Sequence, residues 1–112
     1  MTGALDGIRV VDLTSYIAGS YGAMMLADLG ADVVKVEAIE GDSFRELSGF
    51  YGWNRGKRSL AVNLKEPDGR AIVHRLAQHA DVWAAAGHPR SVFRTSYDQL
   101  LRLTGGTAVE VV

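Results

Sequence analysis

The sequence contains no cysteine, only two prolines and no long uninterrupted apolar run. Without cysteine there is no disulfide framework and no thiolate zinc site, although every compartment stays open to such a chain. Charge of one sign is missing too. Twelve Lys and Arg face thirteen Asp and Glu, interspersed, for a net charge of −1, so no field draws the chain to nucleic acid or to an anionic membrane. The opening MTGALDGIRVVDL carries acids inside it and reads as neither a signal peptide nor a membrane span. A soluble cytoplasmic chain is the expectation.

What is there is enough for a core: 47% of the 112 residues are hydrophobic, and one folded unit over residues 1–112 is expected. At this size roughly 60–70% of the unfolded chain's surface can be buried, so stability is modest and association that covers an apolar face is anticipated.

Ile8, Val10, Val11 and Leu13 form a short apolar run of the kind used by a strand buried on both faces. Polar and small residues follow from Thr14 to Ser20, and from Tyr21 the spacing of Met25, Leu26 and Leu29 predicts a helix capped by Gly30. The strand signature returns over Asp32–Glu37, and a strand, helix, strand succession predicts a parallel crossover. Ala38 to Gly56 has no period and reads as a long excursion. A short strand is expected over Ser59–Val62, then a helix entered at Pro67 and running to about His79, where Pro loses no hydrogen bond at the first helical position. In it Ile72 with Leu76 and Val73 with Ala77 give an apolar stripe opposite Arg70, Arg75 and Gln78. A strand over Asp81–Ala84, a helix over Tyr97–Leu103, a break at Gly105-Gly106 and a β-prone tail from Thr107 to Val112 complete the expectation. The fold class is α/β, Rossmann-like, with a mostly parallel sheet flanked by helices.

Read in order, LDGIRVVDLTSYIAG, LADLGADVVKVE, NRGKRSLAVNLKEPDGR and LAQHADV resemble the N-terminal segment of family III CoA transferases, a family that includes formyl-CoA and carnitine CoA-transferases and α-methylacyl-CoA racemases. The resemblance implies a Rossmann-like domain that binds coenzyme A or acyl-CoA, no metal, and a dimer of interlocked chains or a complementary subunit. It also implies that the aspartate carrying the acyl group lies downstream, so no catalytic residue is assigned here. The family's CoA contacts fall on Ile17 and Ala18, on Val62, Asn63, Leu64 and Lys65, and on Arg94. Lys65 would meet a phosphate as a mobile point charge, and the planar donors of Arg94 suit phosphate as well.

The chain departs from the family pattern at several of these places. Asn63 stands where Asp is usual, and Ala38 replaces a basic residue that follows the second strand. Ala85-Ala86-Gly87-His88-Pro89-Arg90 replaces a Glu-Asn-Phe run before a Pro-Gly turn, and about two residues are missing between Arg94 and Tyr97.

Other residues admit two readings from sequence. The turn Ala18-Gly19-Ser20 either offers backbone N–H groups to a phosphate or is only a tight connection, because no complete G-x-G-x-x-G is present. Lys57 and Arg58 read as a solvated strand entry ahead of an anion site. His74 and His79, five apart, point in different directions on one helix, and His88 reads as a loop side chain. Asp12 lies near a strand's carboxyl end, where α/β sheets place ligands, yet the family comparison makes it structural. Phe50, Tyr51 and Trp53 either anchor a partner or pack the excursion on its own domain.

Two functions follow, a CoA- or acyl-CoA-binding half-domain that is inactive alone, or a non-catalytic oligomeric interaction protein that has lost the ligand. A small enzyme with new chemistry on the old fold ranks third.

Overall fold

The computed structural model describes residues 2–85 and 92–105. His88, the Ala86-Gly87 part of the altered loop and the expected Thr107–Val112 strand lie outside the described residues.

Three parallel strands, β1 (Arg9–Asp12), β2 (Asp32–Glu37) and β3 (Arg58–Ala61), form one sheet in the order β1-β2-β3. Arg9 pairs with Asp32 and Asp12 with Lys35, while Lys35 pairs with Ser59 and Glu37 with Ala61. The crossovers are α1 (Ala18–Asp28), the excursion with the one-turn α2 (Phe50–Trp53), and α3 (Pro67–Gln78) leading on to β4 (Val82–Ala85). The Asp81 amide donates to the Arg9 carbonyl at 2.9 Å, which brings the start of β4 beside β1. β4 then pairs antiparallel with β5 (Val92–Thr95), an element the sequence did not suggest, and α4 (Tyr97–Thr104) follows. A four-residue run such as Val92–Thr95 is too short for periodicity to resolve.

Because side chains alternate across a strand, the sheet has two cores. On one face Val10 and Val33 pack with Ala31, Leu5, Ala23, Leu26 and Ala27 under α1. On the other, Val36, Val62 and Val73 pack with Val11, Leu60 and Leu76 under α3. The stripe expected on α3 is only partly buried. Val73 is in the core, whereas Ile72 is exposed.

Helix ends follow the expected chemistry with one shift. Gly30 adopts φ 102° just beyond α1, its amide bonds the Ala27 carbonyl and the Ala31 amide bonds the Leu26 carbonyl. That double bond is a Schellman closure, and a side chain at Gly30 would meet the Gly3 Cα at 2.9 Å. The α1 helix begins at Ala18, three residues before the expected start at Tyr21. Gly19 belongs to its first turn because a Cβ there would meet the Thr14 side chain at 2.7 Å, so the glycine serves close approach. Ser96 caps α4 reciprocally with Gln99.

Candidate functional site

Charged residues interrupt β1 and β2 at their carboxyl halves and stand at the entry to β3, and the structure buries several of them. Asp12 on β1, Lys35 and Glu37 on β2 and Lys57 just before β3 lie under the excursion, which is held by these charges as well as by its buried Phe50. The Lys57 ammonium has three acceptors: Asp12 Oδ2 at 2.7 Å, the Ser20 carbonyl at 2.8 Å and Asn54 Oδ1 at 2.8 Å. All three of its protons are used. Asp12 Oδ1 accepts from the Thr14 amide and hydroxyl.

Lys35 donates to the Thr14 carbonyl at 2.7 Å and pairs with Asp42 at 3.0 Å. Glu37 receives the guanidinium of Arg45 through two bonds of 2.7 Å, with the Asp42 amide and the Ser59 hydroxyl completing its shell. The three carboxylates and three cations balance, and each one fixes part of the loop above to a strand below. Arg45 also lies over the Phe50 ring, 5.0 Å from its centroid.

These surroundings set the titration of the groups. Burial acts to raise Glu37 and Asp42, but bonds from Arg45 and the Asp42 amide on the first, and from the Phe44 amide and Lys35 on the second, hold both below their ordinary values. Burial lowers Lys57 despite the opposing charge of Asp12. The Lys57 reading as a solvated strand entry is therefore corrected: the ammonium is buried because α1, α2 and β1 enclose it with acceptors. Arg58 does face solvent, bonded to Asp32.

Tyr16, in the β1–α1 loop, holds a left-handed φ of 64°, and its ring contacts Phe44 at 4.6 Å. Such a backbone costs energy for a residue with a Cβ, so the ring contact and the neighbouring bonds maintain it. Phe50 is buried and Trp53 covers Gly49, so of the three aromatics in this stretch Tyr51 points outward.

Beside this charged knot, the ends of the three strands open on a cleft of about 510 Å³. Leu13, Ile39 and Leu64 supply exposed apolar walls. Ala38 and Glu40, which follow β2, and Val62, Asn63 and Lys65, which follow β3, complete the lining. The structure thus brings four of the expected contact residues, Val62 to Lys65, to one cleft. Asn63 Oδ1 accepts the Lys65 amide at 3.0 Å, a local turn that sets the direction of the Lys65 backbone. Gly69 makes this loop possible, since a Cβ there would lie 2.0 Å from the Asn63 carbonyl oxygen.

Ile17 immediately precedes α1 and Ala18 is its first residue, both outside the cleft's lining. Arg94 lies on β5, opposite Trp83 in the second sheet. Ala38 also lines the cleft. Among the described residues no group of three His, Asp or Glu is placed to hold a metal ion, and no helix is long and apolar enough to cross a membrane. The buried charges escaped sequence reasoning although a signal existed: Lys35 sits between valines in the middle of a strand.

The profile of CoA-transferase family III matches residues 5–103. The chain is 42% identical over 94 residues to the succinate–glutarate CoA-transferase of Agrobacterium fabrum, covering 70% of this chain and 24% of that protein. It is 47% identical over 93 residues to the succinyl-CoA:mesaconate CoA-transferase of Haloarcula marismortui, with 71% and 24% covered. A crystal structure of a hypothetical protein from Mycobacterium tuberculosis superposes with a TM-score of 0.69 at 40% identity, over 71% of this chain and 24% of that one. The chain spans about a quarter of the length of these relatives. By profile, identity and fold, it belongs to CoA-transferase family III.

Proposed function

We propose that this chain is a CoA- or acyl-CoA-binding half-domain, which holds the thioester's carrier and depends on residues beyond its own for acyl transfer. The observation that carries the reading is the cleft at the carboxyl ends of β1, β2 and β3, the place where open α/β sheets bind nucleotides. Leu13, Ile39 and Leu64 offer apolar surface to adenine or pantetheine, and Lys65, for which no acidic partner is present among the described residues, offers a cation to phosphate. The names of the relatives share CoA as the common element.

The reading of inactivity rests on the resemblance, which puts the acyl-carrying aspartate downstream, and the buried carboxylates are in keeping with it. Asp12, Glu37 and Asp42 are each occupied by several donors, which suits them to holding loops and not to attacking a carbonyl. Calorimetric titration of the folded chain with CoA tests the proposal. Saturable binding that Lys65→Ala weakens about tenfold supports it, in line with the loss of one charge-assisted contact. No binding at millimolar CoA would overturn it.

One observation favours the second reading, an oligomeric interaction protein. Ile17, Tyr21, Met25 and Leu29 lie four apart and leave an exposed apolar row along α1, each between 41% and 51% exposed. A helix apolar on this face as well as on its buried face is usually covered. A solution mass above that of the monomer, reduced to monomer by Tyr21→Glu with Met25→Lys, would support it.

A further inference from the structure

At the amino-terminal end of the sheet, away from the CoA cleft, β3 and the second half of α3 enclose an open groove of about 570 Å³. Its floor is apolar, made by Val34, Leu60, Ile72 and Leu76, and Ile72 is 48% exposed there. Its rim is basic. Arg9, Arg58, Arg75 and His79 all line it.

The acid that faces these cations from β2 is Asp32, which binds Arg9 at 3.2 Å and Arg58 at 2.6 Å. Asp81 sits at the entry to β4, beside Arg9. Arg75 has no acidic partner among the described residues, so the groove keeps a positive excess over an exposed apolar floor.

β3 is the last strand in the order β1-β2-β3, so among the described residues the outer edge of Arg58–Ala61 has no neighbouring strand. An uncovered edge is a template for another strand. Arg58 and Leu60, two apart, face the same side of the sheet as the α3-packed Val36, and so the edge and the groove form one surface.

We propose that this surface docks an extended acidic segment of a partner protein, which adds as a strand beside β3 and turns alternate side chains into the groove. The charge and the pattern select the occupant. Strand addition supplies affinity through main-chain hydrogen bonds and specificity through alternate side chains. Here an apolar side chain meets Leu60 and Ile72, and carboxylates two residues away on either side meet Arg58 and Arg75. A nucleic-acid backbone fits poorly, because it needs a track of cations where this groove has an apolar floor.

The test uses the whole chain and a labelled peptide, acetyl-Ser-Glu-Thr-Val-Thr-Glu-Ser-amide, followed by fluorescence anisotropy. The expected result is saturable binding that weakens with added salt and falls about tenfold in Arg75→Glu. Arg75 is exposed and outside the CoA cleft, so circular dichroism and the CoA titration should both stay unchanged in that variant. A peptide N-methylated at both Glu, both Thr and Val should lose binding, because its ladder donors are gone whichever set faces β3. Equal binding of the Lys-for-Glu peptide, equal binding of the methylated peptide, or none at millimolar concentration would each overturn the proposal. So would a dimer of the chain that Arg75→Glu converts to monomer, since the groove would then belong to a second copy.

Discussion

The Lys57 ammonium lies 2.7 Å from the Asp12 carboxylate, and neither side chain exposes more than 2% of its surface. Removing one partner from such a pair leaves the other buried and unpaired, which costs about 3–5 kcal/mol, whereas replacing both with apolar groups of similar volume is often neutral. Lys57→Met is therefore expected to lower stability by about that amount, and Asp12→Leu with Lys57→Met to recover much of it. Urea unfolding of the two variants measures the difference. A single variant as stable as the parent would show that the pair is solvated.

Acid should release the excursion. Glu37 and Asp42 titrate below their ordinary values in the folded chain, so on acidification the unfolded chain takes up protons first. Their contribution is complete above the unfolded carboxylate range, about pH 4 to 5, and is lost as pH falls through the lower native values. Urea midpoints between pH 7 and pH 3 should stay level and then drop, with a smaller drop in Glu37→Gln. A midpoint that falls equally in both proteins would remove Glu37 from the explanation.

Gly69 is expected to refuse a methyl group. With the Cβ 2.0 Å from the Asn63 carbonyl, Gly69→Ala must displace either α3 or the Asn63–Lys65 loop. Overpacking of this kind costs about 1–3 kcal/mol. Because the loop lines the cleft, CoA binding should weaken with stability, whereas Gly52→Ala, with open space around its Cβ, should change neither.

Ala38 offers a gain-of-function test. It lines the same cleft as Lys65, in the place where the family resemblance implies a basic side chain. Ala38→Arg should tighten CoA about tenfold if the phosphates lie there, the size of one charge-assisted hydrogen bond. An unchanged titration with correctly folded protein would place the nucleotide elsewhere.

Much of the architecture was readable residue by residue. The apolar runs around Val10 and Val33, the Pro67 entry and the Gly30 cap each act over a few neighbours, and β1, β2, α3 and the end of α1 stand close to where those signals put them. The stretch Val62–Lys65 was singled out by the family resemblance and not by local signals, and the structure places it along the cleft. The start of α1 was not readable, because Gly19 looked like a turn and is in fact a contact with Thr14.

The sequence by itself determined the class of the chain, its alternation of strands and helices and its family membership, since local period, capping and ordered motifs carry those. Only the tertiary structure decided which charges are buried. Asp12 and Lys57 are 45 residues apart, and nothing local tells Lys57 from Arg58 beside it. Their fates separate when the excursion folds over the sheet, enclosing the ammonium of Lys57 with three acceptors and leaving Arg58 to solvent and Asp32. Burial is a property of what lies above a residue, and that depends on contacts far away along the chain.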